Sequence, residues 1–445
     1  MPRRPRPRRA RGPVGAVLVV ALLLTGCSEA AAPSAAPGDR HPGTSGAAPG
    51  PSGTAPSGSV ANGRDPSATG ADPSAVSAAL DALLRARDAA VRTGDPAAFR
   101  ATVAAPTGVA GRRQLQTFAA ARALGLSHLS HDVAAPAEDP AAVDVTLHYR
   151  VAGVDRGDRT ATVRYALRRV GGRWLVGAET ATGTDAAPPW VAMPGLEVRR
   201  GPAAVVAGTA PAPALDAAAT TVDRSLPALR RVWSGTPART LVLVPDTTAE
   251  AILLRGDPAP AVGQVAATTD GPTDAAGLAT GDRVLLDPDA RRRLTAVGRD
   301  VVLTHELAHV AVRASVPGTA PRWLAEGYAD HVGYARAGLP ERILAAPLVA
   351  AVRAGTAPTA LPTDTALDPA VSDIEVGYLA AWQAAQTVAD LVGEAGLRRL
   401  VRACTATGGA EAAERSCDAA MPGILGTDRA GLTRRWQQRL AALAR

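Results

Sequence analysis

The sequence predicts an α+β protein: two folded parts behind a long leader without a core of its own. Three observations lead there. The chain has 445 residues, enough for two or three domains with separate cores. Between about 143 and 179, apolar and polar residues alternate in runs separated by glycines, the period of an antiparallel sheet with one wet face. From about 190 onward, short apolar strand-like runs and helical patterns interleave, and the last 130 residues are mostly helical in spacing. Aromatics make up 3% of the chain, so both cores have to be built from Ala, Val and Leu.

In chain order, residues 1–13 (MPRRPRPRRARGP) carry six arginines and no acidic residue, and 14–24 (VGAVLVVALLL) are wholly apolar. Eleven residues are too few to span a bilayer, which needs about 20, so the segment reads as the hydrophobic region of an export signal. It ends in Leu24-Thr25-Gly26-Cys27, which resembles the lipobox of bacterial lipoproteins. That resemblance implies a signal peptide over 1–26, a lipidated Cys27 at the mature N-terminus, and a protein anchored to the outer face of the cytoplasmic membrane. An ordinary secretory signal with an incidental cysteine is the alternative. Residues 27–72 are Ala, Gly, Ser, Pro and Thr with almost no large apolar side chain, and read as a disordered tether. Without the six leader arginines the net charge drops from +7 to about +1, which removes the electrostatic case for nucleic acid as a partner. The remaining cysteines, Cys404 and Cys417, are an even pair in an oxidising location and a candidate disulfide, with two free buried thiols as the alternative.

The first folded part is expected over 73–182. Val76, Leu80, Leu83 and Leu84 fall at helical spacing, and Gly94-Asp95-Pro96 breaks the helix. VDVTLHYRV, RTATVRYALRRV and RWLVGAET follow as strands, with Gly171-Gly172 as a turn. Helices followed by a curled meander, with LRARDAAVRTGDPAAF near the start, are similar to the nuclear transport factor 2-like cone fold. His128, His131 and His148 show no metal-like spacing to carboxylates and read as ordinary surface or core histidines in a spacer or partner-binding module.

The second part, 190–445, opens with LEVRRGPAAVVAG as strand, 214–233 as helix, TLVLVPD as strand and DRVLLDPDA as strand. A helix beginning near Thr295 then carries VVLTHELAHVAVR. Positions four apart share a helix face, so His305 and His309 can turn ring nitrogens to one ion. Glu306 sits about 100° round the helix, beside that ion. A bound zinc ion lowers the pKa of water towards 7, where a neighbouring carboxylate can take its proton. TAPRWLAEGYADHVGY, 319–334, starts with Thr319 as a possible cap and Pro321 in the first turn, and supplies Glu326 to complete a His, His, Glu set. Asp330, four residues on, shares that face and can accept the outer N–H of a ligand histidine. His331 lies about 140° away from Glu326 and is expected to face solvent or a neighbouring loop.

HELAH with WLAEGYADH resembles the gluzincin metallopeptidases, and the WLxEGxA form is closest to the peptidase MA-like group. The resemblance covers about 190–440. It implies Zn2+ held by His305, His309 and Glu326, Glu306 as general base and acid, Asp330 as the residue orienting a ligand, and a peptide or protein substrate. It also implies a tyrosine that stabilises the oxyanion. Tyr378 in EVGYLAAWQAAQTVADLVGEAGLRRLV fits that place, with simple packing against Trp382 as the alternative and Tyr328 and Tyr334 less favoured. The family's substrate-pairing edge strand would be DRVLLDP. The expectation is a membrane-anchored zinc metallopeptidase. The rival is a catalytically silent surface lipoprotein that uses the same fold for binding or envelope assembly.

Overall fold

One-sided and two-sided burial separate the two sheets. The computed structural model describes residues 73–133, 139, 142–182, 186–256, 266–368 and 374–445. The export signal, the Cys27 lipidation site and the tether expected over 1–72 lie outside the described residues. Among the described residues no helix is long and apolar enough to cross a membrane.

The first part runs α1 (Pro73–Thr93), α2 (Pro96–Arg100), α3 (Val109–Leu124), then β1 (Leu126–Val133), β2 (Val143–Val151), β3 (Arg159–Val170) and β4 (Arg173–Ala181). The strands form one antiparallel sheet in the order β1-β2-β3-β4. Along β2, Val143, Val145, Leu147, Tyr149 and Val151 are buried while the residues between them are not, as the alternation requires. Val76, Leu80 and Leu84 of α1 cover that face. Strand β1 has no counterpart in the sequence reading, because Ser and His in LSHLSHDV give no apolar period and its residues are mostly half-buried.

The second part runs α4 (Pro189–Ala192), β5 (Glu197–Arg200), β6 (Ala204–Gly208), α5 (Ala212–Val232), β7 (Thr240–Val244), α6 (Thr248–Arg255), β8 (Ala267–Asp270), β9 (Arg283–Leu286), α7 (Pro288–Arg293), α8 (Ala296–Arg313) and α9 (Arg322–Tyr334). After α10 (Glu341–Leu344) and α11 (Ala346–Ala354) it closes with α12 (Ile374–Cys404), α13 (Gly409–Leu425) and α14 (Arg429–Ala444). Its sheet is mixed, in the order β5-β6-β7-β9-β8, with β6, β7 and β9 parallel and both outer strands antiparallel. The molecule is therefore α+β, with one antiparallel and one mixed sheet.

Strands β6, β7 and β9 are buried throughout because both faces are covered. Val206, Val242, Val244 and Val284 face the helical side, with α5 and α8. Val205, Leu241, Leu243 and Leu285 face the other way and join the core of the first part, where Tyr149 packs edge-on against Trp190 of α4 at 4.9 Å. At about 1.5–3 kcal/mol for each fully buried aliphatic side chain, this shared core holds the two parts together as a fixed pair.

Two local expectations are corrected here. DRVLLDP contains β9, which lies between β7 and β8; the edge strand is β8, Ala267–Asp270. At four residues, β8 is too short for alternation to reveal it. Thr319 does not cap α9, whose N-cap is Pro321 with no side-chain bond. Instead the Thr319 and Ala406 main chains exchange two hydrogen bonds of 3.0 Å, which tie the α8–α9 loop to the end of α12. Gly318 makes that approach possible: its φ is +97°, and a Cβ would sit 2.2 Å from the Ala406 carbonyl oxygen. Nearby, Cys404 and Cys417 form a disulfide between α12 and α13.

Candidate metal centre

Helix α8 is capped by Thr295, whose hydroxyl accepts from the Gly298 N–H, and is buried from Val301 to Ala311. Ser225 of α5 lies 3.1 Å from Thr304, and the indole of Trp233 at the end of α5 donates to Ser315 at 2.6 Å, so α5 holds the helix at its middle and just past its C-terminal end. Helix α9 returns across it, held from behind by α12. The glycine of WLAEGYA sets that spacing, since a Cβ on Gly327 would sit 2.3 Å from the Ala381 carbonyl oxygen. Glu326, next to that glycine, is thereby carried to the two histidines.

The three expected ligand side chains meet. His305 Nε2 and His309 Nε2 are 3.1 Å apart, and Glu326 Oε2 lies 3.3 Å from the first and 3.4 Å from the second. They are the one group of three potential metal-holding side chains among the described residues, and all are buried. An ion about 2.0–2.2 Å from three donors at tetrahedral angles spaces those donors about 3.3–3.6 Å apart. The observed triangle, 3.1–3.4 Å on a side, is close to that size, and the group can hold a metal ion.

The surroundings prepare these donors. A carboxylate only accepts, so His305 Nδ1 donates to Asp330 Oδ1 at 2.8 Å, leaving Nε2 for the centre. Burial works to lower the His305 pKa, but hydrogen bonds to Asp330 and Glu326 outweigh it and hold the imidazole up to about 10. Burial works to raise Glu326, and the charges and hydrogen bonds of His309 and His305 overcome it, holding its carboxyl well below the usual range. Burial also pushes the Asp330 carboxyl up, opposed by His305. Of these two partners His305 keeps the proton, because its second nitrogen also faces a carboxylate.

Glu306 is 1% exposed and does not join the triangle. Burial pushes its carboxyl up, against the neighbouring histidines and a hydrogen bond from Thr269. That bond, Thr269 Oγ1 to Glu306 Oε2 at 2.6 Å, comes from edge strand β8. Thr269 was not expected from the sequence. A threonine in ATTD, just after a stretch rich in Ala, Gly and Pro, carries no signal at the level of motif or period.

The other candidates fall elsewhere. Tyr378 is fully buried in the second turn of α12, within the helical core, and is not among the residues lining the cavity beside the triad. Tyr334 packs on Trp382 at 4.4 Å, and Tyr328 on Trp233 at 5.3 Å. His331 points to neither solvent nor a loop. Its Nε2 meets the Glu394 carboxylate at 2.9 Å and its Nδ1 meets Gln386, both on α12. In the first part His128 pairs with Asp158 and His148 with Asp132, while His131 bridges Asp88 and Tyr165. The space beside that last chain is about 30 Å³, room for about one water. A cavity of about 320 Å³ adjoins the triad, with His309 and Glu326 in its wall beside Val312, Ala325, Tyr328 and Val401.

No family model matches this chain, and no curated protein matches it in sequence. Its chemistry is read from these residues alone.

Proposed function

We propose that the chain is a zinc-dependent peptidase, anchored through Cys27 to the outer face of the membrane it is exported across. The observation that carries the reading is the triangle of two imidazole nitrogens and one carboxylate oxygen, 3.1–3.4 Å on a side, with Asp330 behind His305. Two imidazoles with one carboxylate are the donor set of a catalytic zinc site with its fourth position open. When bound, zinc would supply Lewis acidity, bringing the pKa of water towards neutrality and polarising a carbonyl.

The chain's own residues do the rest. Thr269 occupies Oε2 of Glu306 and fixes the carboxylate's rotation, so Oε1 carries the mobile proton. Burial raises the Glu306 carboxyl above its ordinary value, the direction that suits one carboxyl both to accept and to return a proton. Glu306 takes a proton from the attacking water and delivers it to the leaving amine nitrogen. Asp330 keeps His305 in the tautomer whose Nε2 faces the centre. Among the described residues strand β8 ends the sheet order, and an extended substrate can add to it as a further strand. Tyr378 as the oxyanion partner rests on the resemblance of its position in the sequence.

The test is hydrolysis of an unfolded protein by zinc-loaded chain, with a chelator control. Chelator-sensitive cleavage that disappears in Glu306→Gln while zinc is retained is expected. Cleavage that survives Glu306→Gln, or none by the parent, overturns the proposal.

A further inference from the structure

The 320 Å³ cavity beside the triad does not end there. Gly318 and Thr319 line both it and a second cavity of about 370 Å³. Gly271 and Pro272, just past β8, line both that second space and a third of about 290 Å³. Arg313 stands in the wall of all three. Cavities that share wall residues therefore follow one another from His309 and Glu326, past the residues following β8, to a far end walled by Thr269 and Asp270 on one side. The other side of that end is Tyr149, Arg159 and Thr160, from β2 and β3 of the first part.

That far wall is fixed in place. The turn between β2 and β3 lies directly on the turn between β8 and β9. The Arg156 main-chain N–H donates to Thr280 O and its guanidinium to Ala279 O, both at 2.5 Å, and the Arg159 guanidinium donates to Gly281 O. A Cβ on Gly281 would sit 2.1 Å from Asp155 Oδ1. The same sheet that carries Thr269 to Glu306 is thus braced by the first part, across the core that the two parts share.

The charges say what this row of cavities suits. Three of the four arginines along it are matched by aspartates, Arg159 with Asp155 at 3.1 Å, Arg283 with Asp270 at 2.8 Å and Arg313 with Asp282 at 2.9 Å, and the fourth, Arg322, shares the wall of the first cavity with Glu326 and Asp364. A wall neutralised in this way has no excess charge for a phosphate or polyanion to seek. It offers hydrogen-bonding groups and small side chains along a strand edge, which fits the main chain of an extended polypeptide.

We propose that the first part is the far wall of the substrate groove, and that the groove takes an unfolded stretch of polypeptide running from the triad to Thr160. The proposal rests on the peptidase reading and adds the first part to its binding surface. Thr160 is exposed on β3 and lines the far end, so Thr160→Trp adds bulk at its margin without disturbing a core. Val170, 45% exposed at the end of the same strand and outside these cavities, is the control.

The experiment measures fluorescence anisotropy of labelled, carboxymethylated α-lactalbumin, a permanently unfolded polypeptide, with the full chain carrying Glu306→Gln to prevent turnover. Thr160→Trp should weaken binding about tenfold or more, and Val170→Trp should leave it unchanged. Equal affinity in all three, equal weakening by both tryptophans, or no binding by any of them overturns the proposal. Hydrolysis by the chain without Glu306→Gln is followed in parallel. Chelator-sensitive hydrolysis that continues when Thr160→Trp changes neither binding nor KM removes this proposal and leaves the peptidase reading standing.

Discussion

Replacing Asp330 with asparagine removes one charge at constant size from behind the metal centre. In the parent, Asp330 is fully buried and accepts from His305 Nδ1 at 2.8 Å. The asparagine carbonyl can still accept that hydrogen, so the ring keeps its orientation while the nitrogen facing the centre becomes less basic. Losing such an outer partner weakens metal binding by about 10–100-fold, which corresponds to about 1.4–2.7 kcal/mol. Asp330→Ala should weaken it further, because the ring also loses the group that fixes its rotation. The assay is a competition titration of zinc against a chromophoric chelator at about pH 7, with far-UV circular dichroism to confirm that each variant is folded. Affinities of both variants within about threefold of the parent would refute the reasoning, as would a parent that does not compete.

Thr269→Val leaves the buried Oε2 of Glu306 without its 2.6 Å donor and should cost about 1.5–3 kcal/mol in urea unfolding of metal-free protein. Thr269→Ser should recover most of it, and a valine effect below about 0.5 kcal/mol contradicts the assignment. Gly327→Ala places a methyl 2.3 Å from the Ala381 carbonyl oxygen, so α9 has to move off α12. The expected loss is about 1–3 kcal/mol or more together with reduced zinc stoichiometry, and unchanged values contradict it. In metal-free protein His305, held up to about 10 against about 6.5 when unfolded, stabilises the fold fully below pH ~6.5 and loses that contribution as pH rises towards 10. Glu326, held below the usual carboxylate range, contributes at pH above its unfolded value of about 4.3 and loses that contribution in acid. Urea midpoints of chelator-treated protein should therefore fall from about pH 7 to 9.5, and a level or rising profile contradicts the shift.

The ligand set was legible in the sequence because a metal demands several donors at spacings that a helix imposes. His305, His309 and Asp330 follow from the four-residue period, and Glu326 from the need for a third donor on a returning helix. Alternation made β2 and β3 legible for the same kind of reason. Thr269 was not legible, since what makes it matter is a sheet order, β9 inside and β8 outside, that local pattern does not encode. Nor were Arg156 and Arg159. As residues they resemble any surface arginine, and only the packing of one turn on another turns them into a brace. The joint core was hidden for a related reason: β6, β7 and β9 read as buried strands whatever covers their second face, and the sequence does not say that the first part does. Thr319 shows the converse, a residue well suited to capping that is claimed by a long-range pairing with Ala406.

One ion gripped by His305, His309 and Glu326 carries the proposed function, and metal analysis tests this most directly. Full-length protein dialysed against zinc, then against metal-free buffer, is compared with His305→Ala and Glu326→Ala by mass spectrometry of total metal. About one zinc per parent chain is expected, as for a site with three protein ligands, with loss in both variants that remain folded by circular dichroism. A parent that retains no zinc, or variants that retain as much as the parent, would contradict the account.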